Sequence, residues 1–188
     1  MEVKGLAHFG LEVSDVENSA KFFTDVFKAK ELKRLGFSEE ELKKGRTRHV
    51  MVGVGNVVVA LFESRDRGNM EARGVAPDNP PGWSSWRHFD FNVPAEDLDD
   101  WVEHLRQALP KYGETADGPK AHGGGSNGLS VYFDDPDGYH LEIVAYYPDR
   151  QRFQEAHARH GRVFGGAKGE NYTWTEEEEK KHYSRPQA

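Results

Sequence analysis

The chain has 188 residues, of which 36% are hydrophobic and 30% are charged, a composition typical of a globular protein. Its formal charge of −7 argues against a general nucleic-acid-binding protein, and no apolar run reaches the roughly 18 residues that a membrane-spanning helix needs. We therefore expect neither a nucleic-acid nor a membrane partner. The lack of cysteine excludes disulfides and thiolate metal ligands, and we expect a cytoplasmic protein.

Residues 1–63 are predicted to form one β-α-β-β-β module. Alternating residues at 3–13 indicate a strand, and Ser14 followed by Glu17 predicts a capping box that starts a helix. A polar helical turn capped by Ser38 is expected between the second strand and the last two. The second, third and fourth strands are predicted at 30–35, 48–54 and 57–62.

A second module of the same order is predicted at 84–147, after a loop at 64–83 that is rich in proline and glycine. Pro94 opens its helix, and a glycine-rich loop is expected at 117–128. Residues 148–188 form a C-terminal extension that contains one short helix. The four strands of this module are predicted at 84–93, 112–116, 129–133 and 139–146.

A histidine occupies the same position in the first strand of each module. The two strands read LAHFGLEV and WRHFDFNV, and they carry His8 and His88. Alignment of the ends of the two modules then makes Ala60 and Glu142 equivalent positions. A carboxylate within an apolar strand is costly to bury unless it is paired or binds a cation. His8, His88 and Glu142 therefore form a candidate open-faced site for a divalent metal, with no donor at the fourth position.

The chain resembles the vicinal oxygen chelate superfamily, which includes glyoxalases, fosfomycin- and bleomycin-resistance proteins and extradiol dioxygenases. The resemblance rests on the paired modules, the strand histidines and the motif VYFDDPDGYHLE at 131–142, and it covers residues 3–147. It implies an α+β fold in which two β-α-β-β-β modules form a curved eight-stranded mixed sheet around a metal site. It also implies that the metal ligands are His8, His88 and Glu142, that the substrate is a small molecule and that the protein is a homodimer.

The first function that the resemblance implies is an extradiol-type ring-cleavage dioxygenase acting on a small catecholic substrate. In that reaction His122 acts as acid and base, and Tyr132 donates a hydrogen bond to a substrate oxygen. Fe(II) is the first expectation for the metal, with Mn(II), Zn(II) and Ni(II) as alternatives.

Two other functions stay open. One is an isomerase, lyase or thiol transferase of the glyoxalase or fosfomycin-resistance type, although glyoxalase I carries Glu where this chain has Ala60. The other is a binding protein of the bleomycin-resistance kind. His140 shares the strand parity of Glu142 and either lines the pocket, supports a ligand or faces solvent.

Overall fold

A computed structural model describes residues 6–64, 88–121 and 127–160 of the chain. The strands are β1 (His8–Val13), β2 (Lys30–Leu35), β3 (His49–Val54), β4 (Val57–Glu63), β5 (His88–Val93), β6 (Asp117–Ala121), β7 (Gly128–Asp134) and β8 (His140–Tyr146). The helices are α1 (Val16–Phe27), α2 (Glu39–Lys43), α3 (Leu98–Ala108) and α4 (Arg150–His160), with 3₁₀ turns at Ala95–Asp97 and Leu109–Tyr112. None of the helices in these three ranges combines the length and apolar character that crossing a membrane requires.

Within the described residues, eight strands form two four-stranded sheets with the same internal order, and seven of the strands overlap a predicted one. The first sheet runs β1-β4-β3-β2 and the second runs β5-β8-β7-β6. In the first sheet β1 and β4 are parallel while β3 is antiparallel to both β4 and β2, so the sheet is mixed. The α+β class and the repeated β-α-β-β-β order are therefore confirmed.

The described residues divide into two compact units. The first contains 6–64 together with His88, 104–115 and 134–140, and the remaining described residues form the second. The module boundaries predicted from the sequence stay predictions. The loop at 64–83 lies almost wholly outside the described residues, as does the extension after residue 160.

One face of the first sheet packs against α1 and forms the core of the first unit. Strand alternation buries Val50 and Val52 completely, and the helical stripe of α1 buries Phe22 and Phe23 just as fully. These two rings meet edge to face with centroids 5.7 Å apart. Burial of each such side chain contributes about 1.5–3 kcal/mol. By the same alternation, the exposed His8 lies on the opposite face of the sheet.

Helix α1 begins one residue later than the sequence predicted. Asp15, and not Ser14, is the N-cap, and its carboxylate accepts hydrogen bonds from the backbone N–H groups of Glu17 and Asn18. A carboxylate at this position also interacts favourably with the helix dipole, which a serine hydroxyl does much less. The predicted Ser38 cap is confirmed at the start of α2, where Ser38 and Glu41 form a capping box.

The turn between β7 and β8, at residues 135–139, is closed by one buried side chain. Asp135 is 1% exposed, and its Oδ1 accepts hydrogen bonds from the backbone N–H groups of Asp137 and Tyr139, both at 2.9 Å. The Asp135 N–H donates to the Tyr139 carbonyl at 3.0 Å. Gly138 has φ +81°, a left-handed conformation that glycine adopts without strain. The Asp-Pro-Asp-Gly stretch is therefore a turn closed by hydrogen bonds between the Asp135 side chain and the backbone.

The same turn is bonded to the end of β1 and the start of α1, all within the first unit. The Asp137 carboxylate accepts hydrogen bonds from the Ser14 N–H at 3.0 Å and from the Ser19 hydroxyl at 3.2 Å. The Tyr139 hydroxyl donates to the Glu12 carbonyl at 2.9 Å. Three polar contacts thus fix the turn against the first module.

Strand β6 lies five residues further along the chain than the predicted strand at 112–116. The chain makes a 3₁₀ turn at Leu109–Tyr112 and pairs only from Asp117 onward, where a loop was expected. Pro119 cannot donate to a ladder, and the register of β6 shifts between Asp117 and Lys120. At Gly118 a Cβ would lie 2.6 Å from the Ser130 carbonyl oxygen, so glycine here permits a close approach of two strands.

A pH series of unfolding experiments tests the burial of Asp135. Burial raises the pKa of this carboxyl to about 7, against the two backbone N–H bonds that lower it. The folded state therefore holds a proton that the unfolded state, with a value near 3.8, releases, so stability falls as pH rises towards and through 7. Between pH 5 and 8 we expect wild type to lose about 2–3 kcal/mol relative to Asp135→Asn, measured by urea unfolding. Parallel pH profiles for the two proteins would contradict this.

Candidate functional site

His8 lies on the face of the first sheet opposite α1, where the register of two parallel strands defines its neighbours. His8 pairs with Val58 and Gly10 pairs with Ala60 across β1 and β4. Paired positions share a face, so His8 and Ala60 lie on one side of the sheet, two residues apart in register. Ala60 is 1% exposed and offers no donor atom. The fourth equivalent position, predicted to lack a ligand, is an apolar position in the structure.

In the second sheet, the histidine of β5 contacts a histidine of the neighbouring strand β8. The rings of His88 and His140 lie with centroids 6.3 Å apart and planes at 82°, an edge-to-face contact. His140 precedes Glu142 by two residues, as Val58 precedes Ala60. The contact therefore agrees with the sequence alignment that made Ala60 and Glu142 equivalent. By strand alternation, His140 and Glu142 project from the same face of β8.

Glu142 is 1% exposed and interacts with the hydroxyl of Tyr132, which is itself 4% exposed. Burial raises the pKa of Tyr132 well above its ordinary value, and the neighbouring Glu142 charge and hydrogen bond raise it further. Burial, together with the charges of Asp90 and Glu142, also raises the pKa of Tyr146. Both phenols are consequently protonated at neutral pH, and Tyr132 is a hydrogen-bond donor rather than a base.

An aspartate that the sequence analysis did not single out joins this group. Asp134 Oδ1 lies 2.6 Å from His140 Nδ1, and burial together with the Asp134 charge raises the pKa of Glu114. In each of the pairs Asp134–His140 and Tyr132–Glu142, the two residues are equally distant from Asp137 along the sequence. That symmetry is what a two-stranded hairpin closed by the 135–139 turn produces. The hairpin register was the signal in the sequence that would have found Asp134.

The structure describes four of the five predicted site residues, and among these it does not test the metal ligands. Across 6–64, 88–121 and 127–160, no three His, Cys, Asp or Glu side chains lie close enough together to hold a metal ion. The assignment of His8, His88 and Glu142 as metal ligands therefore stays a prediction. The predicted acid–base residue His122 lies outside the described residues. For Tyr132 the structure adds a partner, the Glu142 carboxylate, that the sequence did not reveal.

Comparison with known proteins gives a consistent family. A family model described as the Glyoxalase/Bleomycin resistance protein/Dioxygenase superfamily matches residues 5–143. Among curated proteins, the metallothiol transferase FosB of Staphylococcus epidermidis is 23% identical over 163 residues, which cover 85% of this chain and 95% of FosB.

Two solved structures show the same fold. The fosfomycin resistance protein FosX from Listeria monocytogenes, complexed with Mn(II) and sulfate, has a TM-score of 0.53 at 17% identity, over 80% of this chain and 98% of its own. A glyoxylase/bleomycin resistance protein/dioxygenase domain from Frankia sp. EAN1pec has a TM-score of 0.58 at 20% identity, over 81% and 99% of the two chains. At these identities the likeness establishes the fold alone.

A phenolate titration tests the environment of Tyr132. Near pH 10 an ordinary tyrosine is about half ionised, whereas burial beside Glu142 keeps the Tyr132 phenol protonated. The Tyr132→Phe variant should therefore show the same phenolate absorbance as wild type at this pH, although it has one tyrosine fewer than the seven of the chain. Circular dichroism verifies that both proteins remain folded. A loss of one half-ionised tyrosine from the signal would show that Tyr132 is not shielded as described.

Proposed function

Because the chain belongs to the glyoxalase/bleomycin resistance protein/dioxygenase superfamily, we propose that it is a divalent-metal-dependent enzyme that transfers a thiol to a small electrophilic molecule. Its similarity to the metallothiol transferase extends over most of both chains and favours this reaction over ring cleavage. The observation within the chain that carries the proposal is the buried Glu142, set in a strand whose counterpart in the other sheet has only Ala60. The Tyr132 hydroxyl donates one hydrogen bond to this carboxylate, and a bound cation would offset the cost of its burial further.

The metal ligands in this proposal are His8, His88 and Glu142. Two neutral imidazoles and one carboxylate suit a divalent transition metal and leave coordination positions for a substrate. Mn(II) is the first candidate, since a structural relative is described with Mn(II), and Fe(II) becomes secondary. A bound metal of this kind supplies Lewis-acid stabilisation of negative charge on a substrate oxygen.

The described residues have their own tasks in such an enzyme. The Tyr132 phenol stays protonated and, through its hydrogen bond, holds the Glu142 carboxylate in one orientation. Ala60 leaves one side of the candidate site without a protein donor. With an electrophile whose leaving group is oxygen, the thiol sulfur forms a bond to the carbon, the carbon–oxygen bond breaks, and the released oxygen takes up the proton that the thiol loses. Binding the two reactants side by side is the main contribution expected of the protein.

The extradiol dioxygenase remains the second candidate. The Tyr132-to-Glu142 stretch of the sequence resembles the dioxygenase signature as well, with His122 as the proposed acid and base. That function consumes oxygen and uses Fe(II) or Mn(II), whereas thiol transfer consumes no oxygen. A bleomycin-resistance-like binding protein would need no metal at all. The homodimer and the cytoplasmic location also stay predictions.

An assay with defined metals separates these candidates. Protein purified without oxygen and loaded with Mn(II) or Fe(II) is given a thiol with a panel of small electrophiles that includes fosfomycin, and separately a panel of catechols. We expect Mn(II)-dependent loss of free thiol in the first assay and no oxygen uptake in the second. Oxygen uptake with Fe(II) and a catechol, without thiol consumption, would establish the dioxygenase instead.

Removal of a proposed ligand tests the metal assignment directly. His88→Ala and Glu142→Gln should each weaken Mn(II) binding about 100-fold or more, measured by titration calorimetry, because each removes one of three donors. His160→Ala is the control, because it removes a histidine that is not a proposed ligand. The Nε2 atom of His160 lies 2.9 Å from Asp99 Oδ1. Wild-type affinity in both ligand variants would rule out this metal site.

A further inference from the structure

We propose that the Asp134–His140 pair is a positioning device for the metal ligand His88. The inference rests on the proposed function, because it takes His88 as a ligand, and it assigns His140 a task that the metal trio leaves unexplained. His140 acts through His88 and not on the substrate, so it is a positioning residue. Three observations in the structure carry it.

The first observation is the hydrogen bond that fixes the His140 ring. Nδ1 of His140 donates to Asp134 Oδ1 at 2.6 Å, a short distance typical of a bond to a charged acceptor. The side chain of His140 is only 20% exposed, although that of Asp134 is 47% exposed. The bond defines which way the His140 ring faces and selects the tautomer with hydrogen on Nδ1.

The second observation is the contact between the two imidazoles. At 6.3 Å between centroids and 82° between planes, the edge of one ring faces the other, which is the favoured geometry for aromatic pairs. A ring fixed by Asp134 therefore limits the side-chain rotations open to His88. A ligand already held near its binding orientation loses less conformational freedom when a metal binds.

The third observation is the rigidity of the support. Asp134 and His140 flank the 135–139 turn, which the Asp135 side chain closes by hydrogen bonds to the backbone. Asp137 and Tyr139 hydrogen-bond this turn to the first module. The two strand ends therefore keep a constant separation, and the 2.6 Å bond does not depend on two mobile side chains alone. A network of this kind, from backbone to neighbour to ligand, is how outer groups orient metal ligands.

Metal titrations of the full-length protein test this inference. Mn(II) affinity is measured by calorimetry, and the visible spectrum of the Co(II)-loaded protein reports the ligand geometry. His140→Ala should weaken Mn(II) binding about tenfold and change the Co(II) spectrum, in line with the 10- to 100-fold effects of such supporting groups. His140→Phe should recover part of the affinity because it keeps a ring against His88. Asp134→Asn should have a smaller effect than His140→Ala, since the amide oxygen still accepts the bond.

The control is a histidine–aspartate pair of similar geometry elsewhere in the chain. His160 has a side chain that is 17% exposed and lies 2.9 Å from Asp99, so His160→Ala removes a comparable pair without touching His88. It should leave Mn(II) affinity and the Co(II) spectrum unchanged. Urea unfolding identifies any variant whose metal loss reflects unfolding, and His140→Phe then carries the comparison.

The outcomes separate this inference from the proposed function. If His88→Ala abolishes Mn(II) binding while His140→Ala and His140→Phe both behave as wild type, the positioning inference is overturned and the metal site stands. If His140→Ala loses as much affinity as His88→Ala, His140 is itself a ligand and the inference is again overturned. If His88→Ala binds Mn(II) normally, the proposed metal site fails and the inference fails with it.

Discussion

The buried carboxyl group of Asp135 is the constraint on which the second half of the candidate site depends. It closes the turn at residues 135–139 by accepting two backbone hydrogen bonds, and so it sets the register between β7 and β8. A slip of one residue would move every β8 side chain to the opposite face of the sheet. His140 and Glu142 would then lose Asp134 and Tyr132, the partners that this register gives them. The turn is thus a structural element with direct chemical consequences.

The hairpin that Asp135 fixes combines two kinds of polar pairing. Deep in the sheet, Tyr132 lies against the Glu142 carboxylate and supplies a neutral donor to it. At the more open end, Asp134 bonds the ring of His140. The Tyr132 hydroxyl is a neutral donor, so it orients the Glu142 side chain without placing a positive charge beside it. The paired geometry therefore suits a ligand whose negative charge is reserved for a metal ion.

Much of this arrangement could be predicted from the sequence. The alternating strands, the apolar stripe of α1 and the repeated strand histidines gave the order of the elements, because hydrophobic periodicity and a long internal repeat are strong signals. The alignment of Ala60 with Glu142 agrees with the structure through the contact between His88 and His140. Family membership followed from the motif at 131–142.

The remaining features depend on contacts between distant residues, which periodicity does not encode. Ser14 was expected to cap α1, but its N–H is bonded to Asp137, 123 residues away, and Asp15 takes the cap. Strand β6 was placed too early, since Gly118 and Pro119 resemble a loop by composition and pair only because β7 lies beside them. Asp134 was overlooked because an exposed aspartate next to a turn has an ordinary local explanation.

Anomalous diffraction from crystals grown with Mn(II) is the decisive experiment for the metal site, because it locates the metal and identifies its ligands together. We expect one strong peak at about 2.0–2.3 Å from imidazole nitrogens of His8 and His88 and from a carboxylate oxygen of Glu142. A peak coordinated by other side chains, or no peak at saturating Mn(II), would contradict it.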